Sequence, residues 1–189
     1  WIDFEGTKQL IARSGYSRQG GYEIYLEGGH LGSALWDAIW DAGQAYGIKP
    51  GYPNLIERIE GGLLSLGNEM TRDNNPLEIG LGKFCTVDGS IDYIGCDELQ
   101  KIAGQGVQRE IRGIVFDGDR CPVCSKLWPV MVGSKQIGRV TSAVWSPRLK
   151  RNIGLSMIDR DYWKAGQVVT VHSEDGEVRP GEVSMLPFS

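Results

Sequence analysis

The sequence lacks an apolar run approaching the roughly 20 residues that span a bilayer, so it predicts no transmembrane helix. Cysteine is sparse. Four residues are too few to staple a 189-residue chain, and that economy points to a reducing compartment, the cytoplasm. An excess of positive charge is also missing: the formal net charge is −4, which excludes gripping nucleic acid or an anionic membrane through bulk charge. There is no GxSxG elbow, no HExxH, no P-loop and no GxGxxG between a strand and a helix. Histidine occurs twice, at His30 and His172, in different predicted domains, and nothing in the sequence supports a metal site shared between them. An initiator Met is absent as well. The chain opens at Trp1 with neither a basic n-region nor an apolar h-region and runs almost at once into a strand, so it reads as a piece excised from a longer polypeptide.

What is present is ordinary globular material. Hydrophobic residues make up 41% and charged ones 23%, and the length suits one large or two small domains. Gln9 to Ser14 and Tyr22 to Leu26 read as adjacent strands joined by the glycine-rich connection Gly15 to Gly21. Leu31, Leu35, Ala38, Ile39, Ala42 and Tyr46 form one stripe at helical spacing, Trp36 and Trp40 either widen it or meet another element, and Gly47 is placed to end that helix. A second helix starts behind Asn54, an N-cap with Glu57 three residues on. It buries Leu55, Ile56, Ile59, Leu63 and Leu64, and is expected to stop at Gly67. A short helix is expected over 96–103. Beyond it the period changes to six short strands, over 107–116, 127–132, 137–145, 153–158, 168–172 and 177–185, with Asp117-Gly118 and Asp175-Gly176 as turns. The fold class is α+β: a partial α/β layer over 1–84, a linker over 85–104, and a small antiparallel barrel or sandwich over 105–189.

Two groups of residues bear on chemistry. Cys121-Pro-Val-Cys124 has the spacing of half a zinc site, but no second pair accompanies it, so two incidental loop thiols and no metal are expected. Glu23 and Tyr25 share one face of their strand. A solvated polar face accounts for that alternation. The chemical reading is that Glu23 accepts two parallel hydrogen bonds from a flat heterocycle with a donor edge, a pterin or a purine, with Tyr16 as a stacking surface.

At these residues the chain resembles a known superfamily. Gly15-Tyr-Ser-Arg-Gln-Gly-Gly-Tyr-Glu-Ile24 resembles the GYTGEDGYEI segment of the aminomethyltransferases, the glycine-cleavage T-proteins. Glu60-Gly61 with Leu66-Gly67-Asn68-Glu69 is similar to their LEAG…YGND segment. Val140-Thr-Ser-Ala143, Ser146-Pro-Arg-Leu-Lys-Arg-Asn-Ile153 and Leu186-Pro-Phe188 follow their C-terminal pattern. The similarity runs in order over nearly the whole chain. Asp3-Phe-Glu-Gly-Thr-Lys8, Ile11 to Glu23, and Pro53-Asn-Leu-Ile-Glu-Arg-Ile-Glu60 extend it to the dimethylsulfoniopropionate demethylase branch. The T-protein pattern AARDSLRLE has an Arg that contacts folate where this chain has Asn54, and a Trp near the folate where it has Lys83.

The resemblance implies a tetrahydrofolate-dependent methyltransferase that moves a methyl group from a sulfonium to the folate, with no metal required. It implies that Glu23 and Tyr16 bind the cofactor, that Tyr25 touches the small-molecule sulfonium substrate, and that Arg58 and Glu60 occupy positions which helix packing or an ion pair explains equally well. No catalytic side chain is assigned within the chain. It further implies an N-terminal half that this chain lacks. Residues 1–84 are then the end of the folate-binding portion and 105–189 the C-terminal barrel, the fragment alone being inactive. An aminomethyl-transferring T-protein and a non-catalytic folate-binding module are the alternatives.

Overall fold

A computed structural model describes residues 1–16, 20–52 and 54–188. The chain divides into two compact units, Trp1–Asn54 and Leu55–Ser189.

The first unit is a three-stranded antiparallel sheet in chain order, β1 (Ile2–Phe4), β2 (Thr7–Ala12) and β3 (Glu23–Tyr25), followed by helix α1 (Gly32–Gly43). The β1–β2 hairpin is an addition to the sequence reading. Phe4 pairs with Thr7 across Glu5 and Gly6, whose φ angles of 48° and 74° are the pair of positive values that a two-residue turn needs to match strand twist. Glu-Gly is a weak turn signal, because a non-glycine residue at the first position resists the left-handed region. Gln9 is fully buried on β2 and uses both ends of its amide. Its Oε1 accepts the Glu27 N–H at 2.6 Å and its Nε2 donates to the Glu27 carbonyl at 3.3 Å. α1 runs on into a tight turn, and Gly47, at φ 69°, ends it as expected. None of the twelve residues of α1 is buried, its apolar stripe included.

The second unit contains α2 (Leu55–Glu60), α3 (Cys96–Gln105) and six strands, β4 (Arg109–Phe116), β5 (Trp128–Val132), β6 (Lys135–Ser146), β7 (Arg151–Asp159), β8 (Val168–His172) and β9 (Val178–Ser184). The strands close into an antiparallel barrel in the order β4-β7-β6-β5-β8-β9, the last seam being β9 against β4. The strand positions agree with the alternation in the sequence. Of the barrel and sandwich that this alternation allows, the structure is the barrel. Inside sit Ile114, Phe116, Trp128, Val130, Ile137, Val140, Ile158 and Val171, with Phe116 edge-on to Trp128 at 6.4 Å between ring centroids. Gly181 permits the β9–β4 seam to close, since a Cβ there would lie 2.6 Å from the Val115 carbonyl oxygen.

α2 packs outside the barrel wall, where Ile59 joins Ile111, Ile153, Leu155 and Phe188 in a second core. It is shorter than its apolar pattern predicted. Gly62, at φ 66°, stops it; the Gly62 N–H donates to the Ile59 carbonyl and the Leu63 N–H to that of Arg58. This pairing is a Schellman end, so Leu63 and Leu64 lie past the helix. Among the described residues no helix is long and apolar enough to cross a membrane.

Candidate functional site

The first unit holds the face singled out from the sequence. β2 and β3 pair with Ala12 opposite Glu23, Ile11 opposite Ile24 and Leu10 opposite Tyr25. This register turns Ile24 inward and leaves Glu23 and Tyr25 exposed on the same side, two residues apart. Tyr25 is 56% exposed, and Tyr16, in the connection before β3, is 50% exposed. Residues 17–19 of that connection lie outside the described residues. The structure therefore brings Glu23 and Tyr25 onto one open face, with Tyr16 in the adjoining loop.

Sequence reasoning missed one participant. The Ser14 hydroxyl donates a short hydrogen bond to Glu23 Oε2. The two residues are diagonal neighbours across the β2–β3 register, a relation visible only once the pairing is known. Ser14 fixes the carboxylate through one of about four lone-pair sites and leaves the others to accept further N–H donors. Adjacent in the chain to Ser14 and Glu23, but alternating to the other face, the Arg13 guanidinium lies over the Tyr22 ring, 6.0 Å from its centroid. The open face thus carries an oriented anionic acceptor beside an aromatic side chain. It can accept a flat ligand with adjacent N–H donors, the donor set that the edge of a pterin or of a purine presents.

The second unit carries denser polar clusters, whose charged members are paired with one another. Arg58 on α2 pairs with Glu69 at 2.8 Å, and Glu69 also accepts the Ser65 N–H at 2.8 Å and the Ser142 hydroxyl at 2.5 Å. Arg58 donates in turn to Ser142 Oγ at 2.7 Å and to the Leu63 carbonyl at 2.9 Å. Glu60 accepts from Arg148 at 2.7 Å and makes a 2.5 Å bond with the Ser146 hydroxyl. The ion-pair reading of Arg58 and Glu60 is the one these contacts support: both residues tie α2 to β6 and the loop that follows it.

A third cluster pins the loop over 73–78 to β4. Burial pushes Glu78 upward, but hydrogen bonds from Arg109 and Asn74 outweigh it and hold the carboxyl below its ordinary range. Lys83 lies over the Phe84 ring, 4.9 Å from its centroid. Burial raises the Cys121 thiol to about 11 and the Cys124 thiol to about 12, so both are protonated and poor ligands or nucleophiles at neutral pH. Among the described residues no cluster of three or more His, Cys, Asp or Glu side chains is placed to hold a metal ion.

Comparison with known proteins places these two units in context. Residues 1–89 match the GCVT N-terminal domain, and residues 109–189 match the glycine cleavage T-protein C-terminal barrel domain. A protein of Ruegeria pomeroyi named dimethylsulfoniopropionate demethylase DmdA is 46% identical over 179 residues, a match covering 95% of this chain and 48% of that protein. An aminomethyltransferase of Caldanaerobacter subterraneus subsp. tengcongensis is 37% identical over 172 residues, covering 90% of this chain and 45% of its own length. The crystal structure of glycine cleavage system aminomethyltransferase T from Bartonella henselae superposes with a TM-score of 0.77 at 21% identity, over 96% of this chain and 50% of that one, which shows a shared fold. The chain spans about half the length of the curated relatives it matches. On these two domain matches and the similarity that runs between them, the chain belongs to the glycine-cleavage T-protein (aminomethyltransferase) family.

Proposed function

We propose that this chain is the C-terminal portion of a cytoplasmic, tetrahydrofolate-dependent methyltransferase that demethylates dimethylsulfoniopropionate. Residues 1–84 are the end of its folate-binding domain, 85–104 a connection and 105–189 the barrel domain. The observation that carries the reading is the open face of β3, where Ser14 orients the Glu23 carboxylate beside Tyr25. It is supported by 46% identity to a relative named as a demethylase of that sulfonium. Glu23 accepts the donor edge of the pterin, Tyr16 stacks near it, and Tyr25 faces the substrate. Tetrahydrofolate supplies the ring nitrogen that takes the methyl group. The chain's own residues bind and orient, and orientation alone supplies up to roughly 7–11 kcal/mol. An aromatic wall such as Tyr25 suits a sulfonium because its ring face attracts a soft cation, by about 0.5–2 kcal/mol. The remaining half of the enzyme is the partner this site requires, and the chain alone is inactive.

The relatives named aminomethyltransferases keep a second reading in view, transfer of an aminomethyl group. Assaying the chain assembled with the remaining half against dimethylsulfoniopropionate and against an aminomethylated lipoyl carrier protein separates the two. The site itself is tested by Glu23→Gln in that assembly. One acceptor oxygen becomes a donor, so a charge-assisted bond worth about 1.5–3 kcal/mol is lost and folate affinity falls by about one to two orders of magnitude. Sulfonium affinity changes much less. Calorimetric titration with each ligand separately reads both effects, and equal folate affinity in wild type and variant returns Glu23 to a solvated strand face.

A further inference from the structure

The β5–β6 register slips by one residue near the start of β6, with Gly138 opposite Val130 but Gln136 opposite Met131. Such a bulge bends its strand and re-aims the side chains beside it. On the neighbouring seams Arg139 pairs with Met157, and Asp159 pairs with Arg109. Met157 and Asp159 are two residues apart on β7, so they share a face, roughly 7 Å apart along the strand. Arg109, Gln136, Gly138, Arg139, Met157 and Asp159 line a cleft of about 210 Å³. Its charges are unevenly matched. The Arg109 guanidinium is taken, with Nε and Nη2 donating to the Glu78 carboxylate at 3.0 and 3.2 Å and Nη2 to the Asp73 carbonyl at 2.9 Å. Arg139 is half-buried and Asp159 is exposed. Among the described residues neither of these two makes an ion pair, with the other or with any third group. A guanidinium carries five N–H donors, and half-burial strips part of the water that would otherwise satisfy them.

We infer that this cleft binds a small ammonium–carboxylate zwitterion, a free amino acid, with its carboxylate on Arg139 and its ammonium on Asp159. Two unlike charges held apart on one face complement a ligand that carries both. An anion alone would meet the repulsion of Asp159, and a cation alone that of Arg139. The planar fork of Arg139 takes a carboxylate through two parallel hydrogen bonds. Asp159 accepts from the ammonium. Gln136 assists, because its Nε2 donates to the Gly138 carbonyl at 3.2 Å and its Oε1 is the end that remains to accept. Met157, only 4% exposed, supplies a soft apolar floor for an aliphatic side chain. The volume is below the roughly 300–1,000 Å³ of pockets for drug-sized molecules, which limits the occupant to something of amino-acid size. The cleft lies wholly within the second unit, and the inference does not depend on the folate reading.

The test titrates the full chain with three probes, L-leucine, N-acetyl-L-leucine and L-leucinamide, following amide chemical shifts by NMR. The second probe lacks the ammonium and the third lacks the carboxylate. L-leucine should saturate with a Kd in about the millimolar range, and each analogue should bind about tenfold more weakly or worse. Arg139→Gln should weaken L-leucine about tenfold and abolish its preference over L-leucinamide, while Asp159→Asn should abolish its preference over N-acetyl-L-leucine. Arg139→Lys keeps the charge and should keep the preference over L-leucinamide. Circular dichroism confirms that each variant is folded. Equal binding of the three probes overturns the proposal, as does the absence of saturation by about 50 mM L-leucine. It is also overturned if folded Arg139→Gln or Asp159→Asn retains the full preferences of the wild type, since the zwitterion then sits elsewhere.

Discussion

Glu69 has no solvent exposure at its side chain, and its partner Arg58 has 8%. Two buried charges are tolerated only because each is fully hydrogen-bonded, so removing one leaves the other stranded. Glu69→Ala is expected to destabilise the barrel unit by about 3–5 kcal/mol, read from chemical denaturation, with Ser142→Ala costing less because both charges keep each other. Asp175 behaves differently. Hydrogen bonds from the Ser173 hydroxyl and from Arg179 hold it at about 2, below its ordinary 3.8. A carboxyl depressed by folding contributes stability that is complete above its unfolded value and is lost as pH falls through its folded one. Stability should therefore drop between about pH 4 and pH 2. Asp175→Asn should flatten that part of the profile when denaturation midpoints are compared at several pH values. The polar face of β3 was legible because period-2 alternation assigns Glu23 and Tyr25 to one side whatever the tertiary structure. Ser14 was not, because its partnership with Glu23 exists only in one strand register.

At the level of elements, local chemistry and packing part company. The β9–β4 seam depends on backbone approach at Gly181, where an added Cβ would meet the Val115 carbonyl oxygen at 2.6 Å and Phe116 Cβ at 2.9 Å. Neither neighbour is the flexible end of a side chain, so Gly181→Ala should cost about 1–3 kcal/mol and open the seam first. Hydrogen exchange at the amides of β9 is the measurement that detects it. The six barrel strands were readable one by one from alternation and turn residues. α2 was read too long, because Leu63 and Leu64 continue the apolar spacing while the left-handed Gly62 ends the hydrogen bonding. The β1–β2 hairpin escaped notice because its turn puts Glu5 at a positive φ that its neighbours, not its own preference, impose.

At the scale of the whole molecule, the barrel leaves no unpaired strand edge and encloses its own core, which is the condition for folding alone. Residues 55–189 expressed without the first unit should unfold in one cooperative transition, read by circular dichroism and calorimetry. The sequence by itself determined the order of strands and helices from β2 onward, the change from helical to strand period, the pairing of Glu23 with Tyr25 on one face, and the family. All of these follow from local spacing or from linear motifs. Only the tertiary structure decided that six strands close as a barrel, because alternation is the same in a barrel and a sandwich and the β9–β4 seam joins residues some seventy positions apart. It alone joined Arg58 to Ser142 across 84 positions. It also left the apolar face of α1 uncovered, since a hydrophobic stripe states that something must cover it and carries no information about what does.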